Sequence, residues 1–298
     1  MRSSRPFRNL SMLLVLIILL AACAAPIASP TAVPPTSAPT AAPVAPTAVS
    51  PAATEPAPRM LTVFAAASLT ESFGELAKQF EAAHPGVKVA INFAGSQQLR
   101  AQLEQGAQAD VFASANTKEM NAAIQSSLVV SGTQKTFARN RLVAIFPKDN
   151  PGKIATLADL ARPGLKLVVA DKAVPVGQYT LDMLTKMSKD SAYGADFAAK
   201  VEKNVVSREN DVKAVLAKVR LGEADAGVVY STDVTPAAAQ DVTALTIPDQ
   251  FNQLASYPIA ALAKASQPDL AQQFVDLVQS DAGQQLLSRY GFIAGKAR

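Results

Sequence analysis

From Leu61 onwards the chain alternates short, continuous apolar runs with stretches of helical period, and this alternation limits the folds open to it. Leu61–Ala66 is the first apolar run, and Leu69, Phe73, Leu76 and Phe80 then recur at helical spacing until Pro85-Gly86 stops the pattern. Strands are expected at Leu61–Ala66, Val87–Phe93, Asp110–Ser114, Arg141–Phe146, Leu165–Ala170, Val205-Val206, Ala226–Tyr230, Val242–Ile247 and Tyr257–Leu262. Helices are expected at Leu69–His84, Ser96–Gln105, Lys118–Gln125, from about Gln178, and at Tyr193–Lys203, Val212–Leu221, Pro268–Ser280 and Ala282–Tyr290. Strands that are apolar throughout are buried on both faces, so the expectation is an α/β protein with mainly parallel sheets covered by helices.

What precedes Arg59 cannot join such a core. Residues 1–22 read as a signal peptide: Arg2, Arg5 and Arg8 come first, then the apolar run Met12–Leu20, which is short for a membrane span. Leu20-Ala21-Ala22-Cys23 has the form of a lipoprotein cleavage site, and Cys23 is the sole cysteine, so it is read as lipidated and no disulfide can form within the chain. Residues 24–58 are mostly Ala, Pro, Thr, Ser and Val with one charge, Glu55, and hold 10 of the 20 prolines. Such a segment favours extended conformations and serves as a tether, reaching on the order of 100 Å at ~3.1 Å per residue. Without the three leading arginines, 28 basic residues become 25 against 24 acidic ones. A near-neutral mature chain offers no electrostatic footprint for nucleic acid.

Several strand-to-helix turns carry small or polar residues. Ser68 follows three alanines and stands three residues before Glu71, the spacing of a capping box. Ser96 follows Phe93-Ala94-Gly95, Pro175-Val176-Gly177 leads into the helix that contains Tyr179, and Asn210-Asp211 precedes Val212 as a cap. Tyr230 ends its strand. In an open α/β sheet such turns lie at the carboxyl ends of strands, where ligands bind. Each has a plainer reading: Ser68 and Ser96 as caps, Pro175-Val176-Gly177 as turn chemistry, Tyr230 as a half-buried aromatic with its hydroxyl in water. Taken together, hydroxyls and helix-start N–H groups suit one task, holding a tetrahedral dianion by neutral donors. Each helix dipole adds typically about 0.3–1 kcal/mol.

These residues resemble the periplasmic or lipid-anchored molybdate-binding proteins of ABC importers, the type II extracytoplasmic solute-binding family. The matching stretches are Val63-Phe-Ala-Ala-Ala-Ser68-Leu-Thr, Phe93-Ala-Gly-Ser96, Gly106-Ala-Gln-Ala-Asp110-Val-Phe-Ala-Ser114-Ala-Asn116, Val174-Pro-Val176-Gly-Gln-Tyr179, Glu209-Asn-Asp-Val212, Gly222-Glu-Ala-Asp-Ala-Gly-Val-Val-Tyr230 and Tyr290-Gly-Phe292. The resemblance implies two lobes joined by crossing strands near Phe137–Leu142 and Asp249–Tyr257. Lobe 1 would comprise 59–138 and 251–298, and lobe 2 would comprise 139–250. It implies that Ser68 and Ser96 give hydroxyl and N–H, Val176 and Val212 give N–H, and Tyr230 gives its phenol. Molybdenum would be bound only as molybdate, through those same residues. Two positions depart from the family: Val176 stands where relatives often have Ala, and Gly95 where others have Ser or Ala, which allows a shifted loop. No carboxylate pair matches the six-coordinate relatives, so a four-coordinate oxyanion is expected.

The function implied is capture of molybdate, or tungstate, for an ABC permease by a monomeric protein held at the membrane by its lipid, with no cofactor and no reaction. The same fold carrying sulfate or another oxyanion is the alternative. An exported serine hydrolase built on Ser68 is a remote one, because the only histidine, His84, lies at the far end of the same helix. An adhesive lipoprotein would not need this set of turns. His84 is read as structural, Asp110 as a strand-start carboxylate, Met183 and Met187 as core, and Arg139, Arg141 and Arg208 as solvated or paired near the hinge. Asn116 is read as a helix cap.

Overall fold

The computed structural model describes residues 59–295; the expected signal peptide, Cys23 and the tether lie outside the described residues. The first half of one lobe is laid down in chain order. It contains β1 (Arg59–Ala66), α1 (Thr70–Ala83), β2 (Val87–Ala94), α2 (Ser96–Glu104), β3 (Val111–Ala113), α3 (Thr117–Gln125) and β4 (Lys135–Asn140). The chain then passes directly into the other lobe: β5 (Leu142–Pro147), β6 (Leu167–Ala170), α4 (Pro175–Met187), α5 (Phe197–Lys203), β7 (Val205–Glu209), α6 (Val212–Arg220), β8 (Ala226–Tyr230) and β9 (Val242–Thr246). It returns to the first lobe with β10 (Ala255–Ala261), α7 (Pro268–Gln279), α8 (Asp281–Arg289) and the short β11 (Ile293–Ala294).

Two sheets result, of order β11-β4-β10-β3-β1-β2 and β7-β6-β8-β5-β9. Only β1 with β2 and β3, and β6 with β7 and β8, pair in parallel. The mainly parallel expectation is therefore corrected: β10 and β11 in one sheet, and β5 in the other, run against their neighbours. The physical reason is the double crossing between lobes. A strand that enters or leaves a lobe at the hinge arrives from the opposite end to the strands delivered by helical crossovers.

Apolar patterning explains the elements. α1 buries Phe73, Leu76, Ala77 and Phe80, and Phe73 meets Phe137 at 5.6 Å and Phe274 at 5.9 Å between ring centres. Each such ring contributes roughly 1.5–3 kcal/mol by leaving water. In the second lobe Met183 and Met187 are fully buried, as their i, i+4 spacing implies. α6 lays Val215, Leu216 and Val219 against the sheet. His84 closes α1: a ring nitrogen lies 2.8 Å from the Phe80 carbonyl, and the ring stacks on Phe80 at 4.0 Å. Asp110 bonds the Thr62 and Gln267 N–H groups and the Ser266 hydroxyl, tying β1 to the start of α7.

Two buried asparagines sit at the crossings. Asn140 donates to Thr232 Oγ1 at 2.7 Å and accepts from Arg141 N–H and Ser231 Oγ. Asn252 pairs with both backbone groups of Leu142 at 2.9 Å and donates to the Ile247 carbonyl. Of the arginines near the hinge, Arg141 pairs with Asp249 at 3.0 Å, and Arg208 pairs with Glu202.

Candidate functional site

Between the lobes lies a small cavity of about 10 Å³. Ser68, Gly95, Ser96 and Ala115 line it from the first lobe, and Val176, Asp211, Val212 and Tyr230 from the second. The structure thus brings all five expected positions to one place, at the carboxyl ends of β1, β2, β6, β7 and β8. None of the five is more than 4% exposed, so the lobes meet over them.

The local reasons differ from those expected at two serines. Ser68 sits in a 3-10 turn, Ala67–Leu69, ahead of α1, and caps nothing; α1 has no side-chain cap. Its Oγ instead meets Tyr257 Oη at 2.9 Å, and Glu71 turns away toward the other lobe. The capping box is overturned because a better partner arrives on β10. Ser96 is the first residue of α2 and Gly95 is the N-cap, so Ser96 is not the cap; its Oγ accepts the Ala115 N–H at 3.0 Å. That bond leaves the Ser96 hydroxyl proton free to donate into the cavity.

In the second lobe α4 starts at Pro175, earlier than Gln178, because proline suits the first turn and needs no N–H partner there. Val176 is therefore a first-turn residue whose N–H has no acceptor within the helix. Gly177 lets this end press onto the strand: a Cβ would stand 2.0 Å from the Asp171 carbonyl oxygen. α6 is capped by Asp211, which accepts the Ala214 N–H at 3.0 Å. Val212 opens that helix with its own N–H unclaimed by it. Asn116 likewise caps α3 through Glu119 N–H.

Tyr230 is the odd member. It is 1% exposed, its Oη has no partner among the described protein atoms, and burial holds the phenol well above its ordinary value. It is a neutral donor at any physiological pH, not a half-wet aromatic. Tyr257 behind it is pushed up by burial, and burial pushes Tyr179 to about 12. No Lys, Arg or His lines the cavity, and Asp211, its one carboxylate, is engaged in capping. Among the described residues no cluster of His, Cys, Asp or Glu fits a metal cation. The Ser68 hydroxyl and His84 are each bonded elsewhere, so no Ser–His pair forms. Hydroxyls and helix-start N–H groups around a buried cleft can hold an unprotonated oxyanion and offer little to a cation.

Three features escaped the sequence. Tyr257 supports Ser68 from 189 residues away. Gly95 packs so close to the second lobe that a Cβ would stand 2.4 Å from the Asn210 carbonyl oxygen, and Gln97 donates to that same oxygen at 3.0 Å. Here a glycine fits the interlobe contact itself. Lys213 joins Glu71 to Asp233 at the cavity's edge. Only Asp233 left a local trace, three residues beyond Tyr230 in a turn-forming Ser-Thr-Asp.

Comparison with known proteins bears on the family and the fold. The family described as bacterial extracellular solute-binding protein matches residues 61–293. Molybdate-binding protein ModA of Mycobacterium tuberculosis is 42% identical over 245 residues, covering 82% of this chain and 88% of the relative. The periplasmic molybdate-binding protein of Azotobacter vinelandii superposes with a TM-score of 0.68 at 21% identity, over 79% of this chain and 100% of that one. The sulfate-binding protein SubI from Mycobacterium tuberculosis superposes at 0.71 with 18% identity, over 79% and 87%. At those identities the two structures speak for the two-lobed fold alone.

Proposed function

Because the chain belongs to the bacterial extracellular solute-binding protein family, we propose that it is the molybdate-capturing component of an ABC importer. Tungstate, of the same shape and charge, binds the same donors. The observation that carries the reading is the convergence of Ser68, Ser96, Val176, Val212 and Tyr230 on one buried cavity from both lobes. In this reading Ser68 and Ser96 donate hydroxyl and backbone N–H, Val176 and Val212 donate N–H, and Tyr230 donates its phenol. The anion is enclosed when the lobes meet, a closed state favoured by contacts that need both lobes at once. The protein binds and releases; it performs no reaction and needs no cofactor.

The wider assignment follows the same line. Residues 1–22 direct export, Cys23 carries the lipid, and 23–58 tether the domain to the membrane. Residues 59–138 with 251–298 form lobe 1, and 139–250 form lobe 2. The monomer delivers its anion to the permease.

Sulfate, being smaller, would lose contact with part of a shell sized for molybdate. Hydrogen phosphate would want an acceptor, and the one carboxylate in the lining, Asp211, already takes the Ala214 N–H on Oδ1 and keeps only its remaining capacity for a ligand. Titration calorimetry with molybdate, tungstate, sulfate and phosphate tests the assignment. Molybdate and tungstate should bind at least tenfold more tightly than sulfate; tight sulfate binding with none of molybdate would sink the choice of ligand.

A further inference from the structure

Lys213 follows Val212 in the first turn of α6 and has no place in the donor shell just described. Its Nζ lies 2.9 Å from each carboxylate oxygen of Glu71 and 3.2 Å from Asp233 Oδ1. Glu71 belongs to the first turn of α1, in the other lobe, three residues past Ser68. Asp233 is fully buried in the turn after β8, and its second oxygen accepts the Tyr230 N–H at 3.1 Å. One ammonium therefore touches an element of each lobe. It stands next to three of the five cavity positions: Ser68 through α1, Val212 by adjacency, and Tyr230 through Asp233.

We propose that Lys213 is a positioning residue that couples closure of the lobes to assembly of the anion site. The assignment rests on the oxyanion reading of the cavity. When the lobes part, the Glu71 arm is broken and Lys213 keeps only Asp233. When they meet, the same cation draws the Ser68 turn toward the helix that carries Val212 and the strand that ends in Tyr230. The side chain is one-quarter exposed and Glu71 is 39% exposed, while Asp233 is 0% exposed. The Asp233 arm lies within one lobe on a buried carboxylate, and the Glu71 arm is the one that crosses the lobes and that solvent can reach. Charge supports this division. Burial alone would lower the Lys213 ammonium, yet the carboxylates of Asp233 and Glu71 outweigh it and hold the group above its ordinary value. Burial raises Asp233, so this carboxylate depends on its cation.

The test uses the full chain. Its only native cysteine is Cys23, so paired labels at Lys78→Cys and Leu221→Cys, both strongly exposed and on different lobes, report the distance between lobes. Two variants are compared in that background with molybdate as the probe. Glu71→Gln removes the charge of the interlobe arm and leaves Asp233 paired. It should widen the ligand-free distance distribution and weaken molybdate about three- to tenfold, mainly through faster release. Lys213→Met removes both arms and should weaken it further; if that variant fails to fold, Glu71→Gln still decides. Saturating molybdate should restore the short distance in each. An unchanged distance and affinity in Glu71→Gln overturns the proposal, whatever Lys213→Met does, because Lys213 would then act only within its own lobe. If the parent chain binds no oxyanion, the reading of the cavity fails, and the label distances alone decide the bridge.

Discussion

Replacing Tyr230 with phenylalanine removes one oxygen and should move stability and affinity in opposite directions. The ring stays, packed at 5.8 Å from Tyr257. The lost Oη is buried and has no partner among the described protein atoms. A buried polar group left unpaired costs about 1–3 kcal/mol. The ligand-free variant should therefore be at least as stable as the parent, with a midpoint raised by several degrees at about 2–4 °C per kcal/mol for a domain of this size. Binding changes the other way. A hydrogen bond to a charged group contributes about 1.5–3 kcal/mol, so molybdate affinity should fall roughly 10- to 150-fold at about 1.4 kcal/mol per decade. The chain has no tryptophan, so titration calorimetry, paired with thermal unfolding of the ligand-free protein, is the assay. A loss below about threefold would remove Tyr230 from the donor set. A fall in stability of more than about 1 kcal/mol would mean that the hydroxyl already has a partner in the resting protein.

Ser68→Ala should lose on both counts, because the hydroxyl also meets Tyr257 Oη: about 1 kcal/mol of stability by denaturant unfolding and about tenfold in molybdate affinity by calorimetry. Gly95→Ala sets a Cβ 2.4 Å from the Asn210 carbonyl oxygen, so the lobes must part. Small-angle scattering should show a more open ligand-bound form with weaker binding, and a closed form of parental affinity would show that the backbone yields instead. Affinity should be flat between about pH 6 and 9, since Tyr230 is held well above its ordinary value and none of the other donors titrates there. On the alkaline side the sign is set by Lys213. Its raised value means that its contribution is complete below the unfolded value near 10.4 and is lost as pH rises through the folded one. A calorimetric pH series should therefore show weakening only above about pH 10.

Strands that are apolar throughout were readable almost to the residue; β8 runs from Ala226 to Tyr230 as its composition implied. Composition does not mark β4 as a strand, and only the crossing strand that the resemblance implies near Phe137–Leu142 overlaps it, because Lys-Thr-Phe-Ala-Arg-Asn alternates weakly and its partners, β10 and β11, lie more than a hundred residues downstream. The helix expected from Tyr193 starts at Phe197, since Gly194 adopts a positive φ of 83° and ends the preceding turn. Local rules also misled at Ser68. A capping box is a statement about four consecutive residues, whereas the competing bond to Tyr257 depends on the return of the chain. The five cavity positions were reached through resemblance and through turn chemistry, both of which are local. The Glu71–Lys213 contact spans 142 residues and has no local signature at all. What the chain conceals, in general, is what its two crossings bring together.

Those crossings also bear on how the molecule is made. The first sheet is not a contiguous stretch of chain: β10 lies between β3 and β4, so those two strands cannot be joined until residues 255–261 have emerged, after the whole of the other sheet. The second sheet, drawn from residues 142–246, is uninterrupted and can close on itself early. Even its farthest partners, Val143 and Thr246, are nearer in sequence than any residues that β10 or β11 pairs in the first sheet, so loop closure opposes them less. Assembly should then run from the inserted lobe outward, with the split lobe sealed last around it. A chain stopped near residue 250 would keep amide protection in β5–β9 while β4, which pairs only with β10 and β11, exchanges freely. For a protein exported as proposed above, that order makes the final stitch of the first lobe coincide with the moment the proposed anion site first exists.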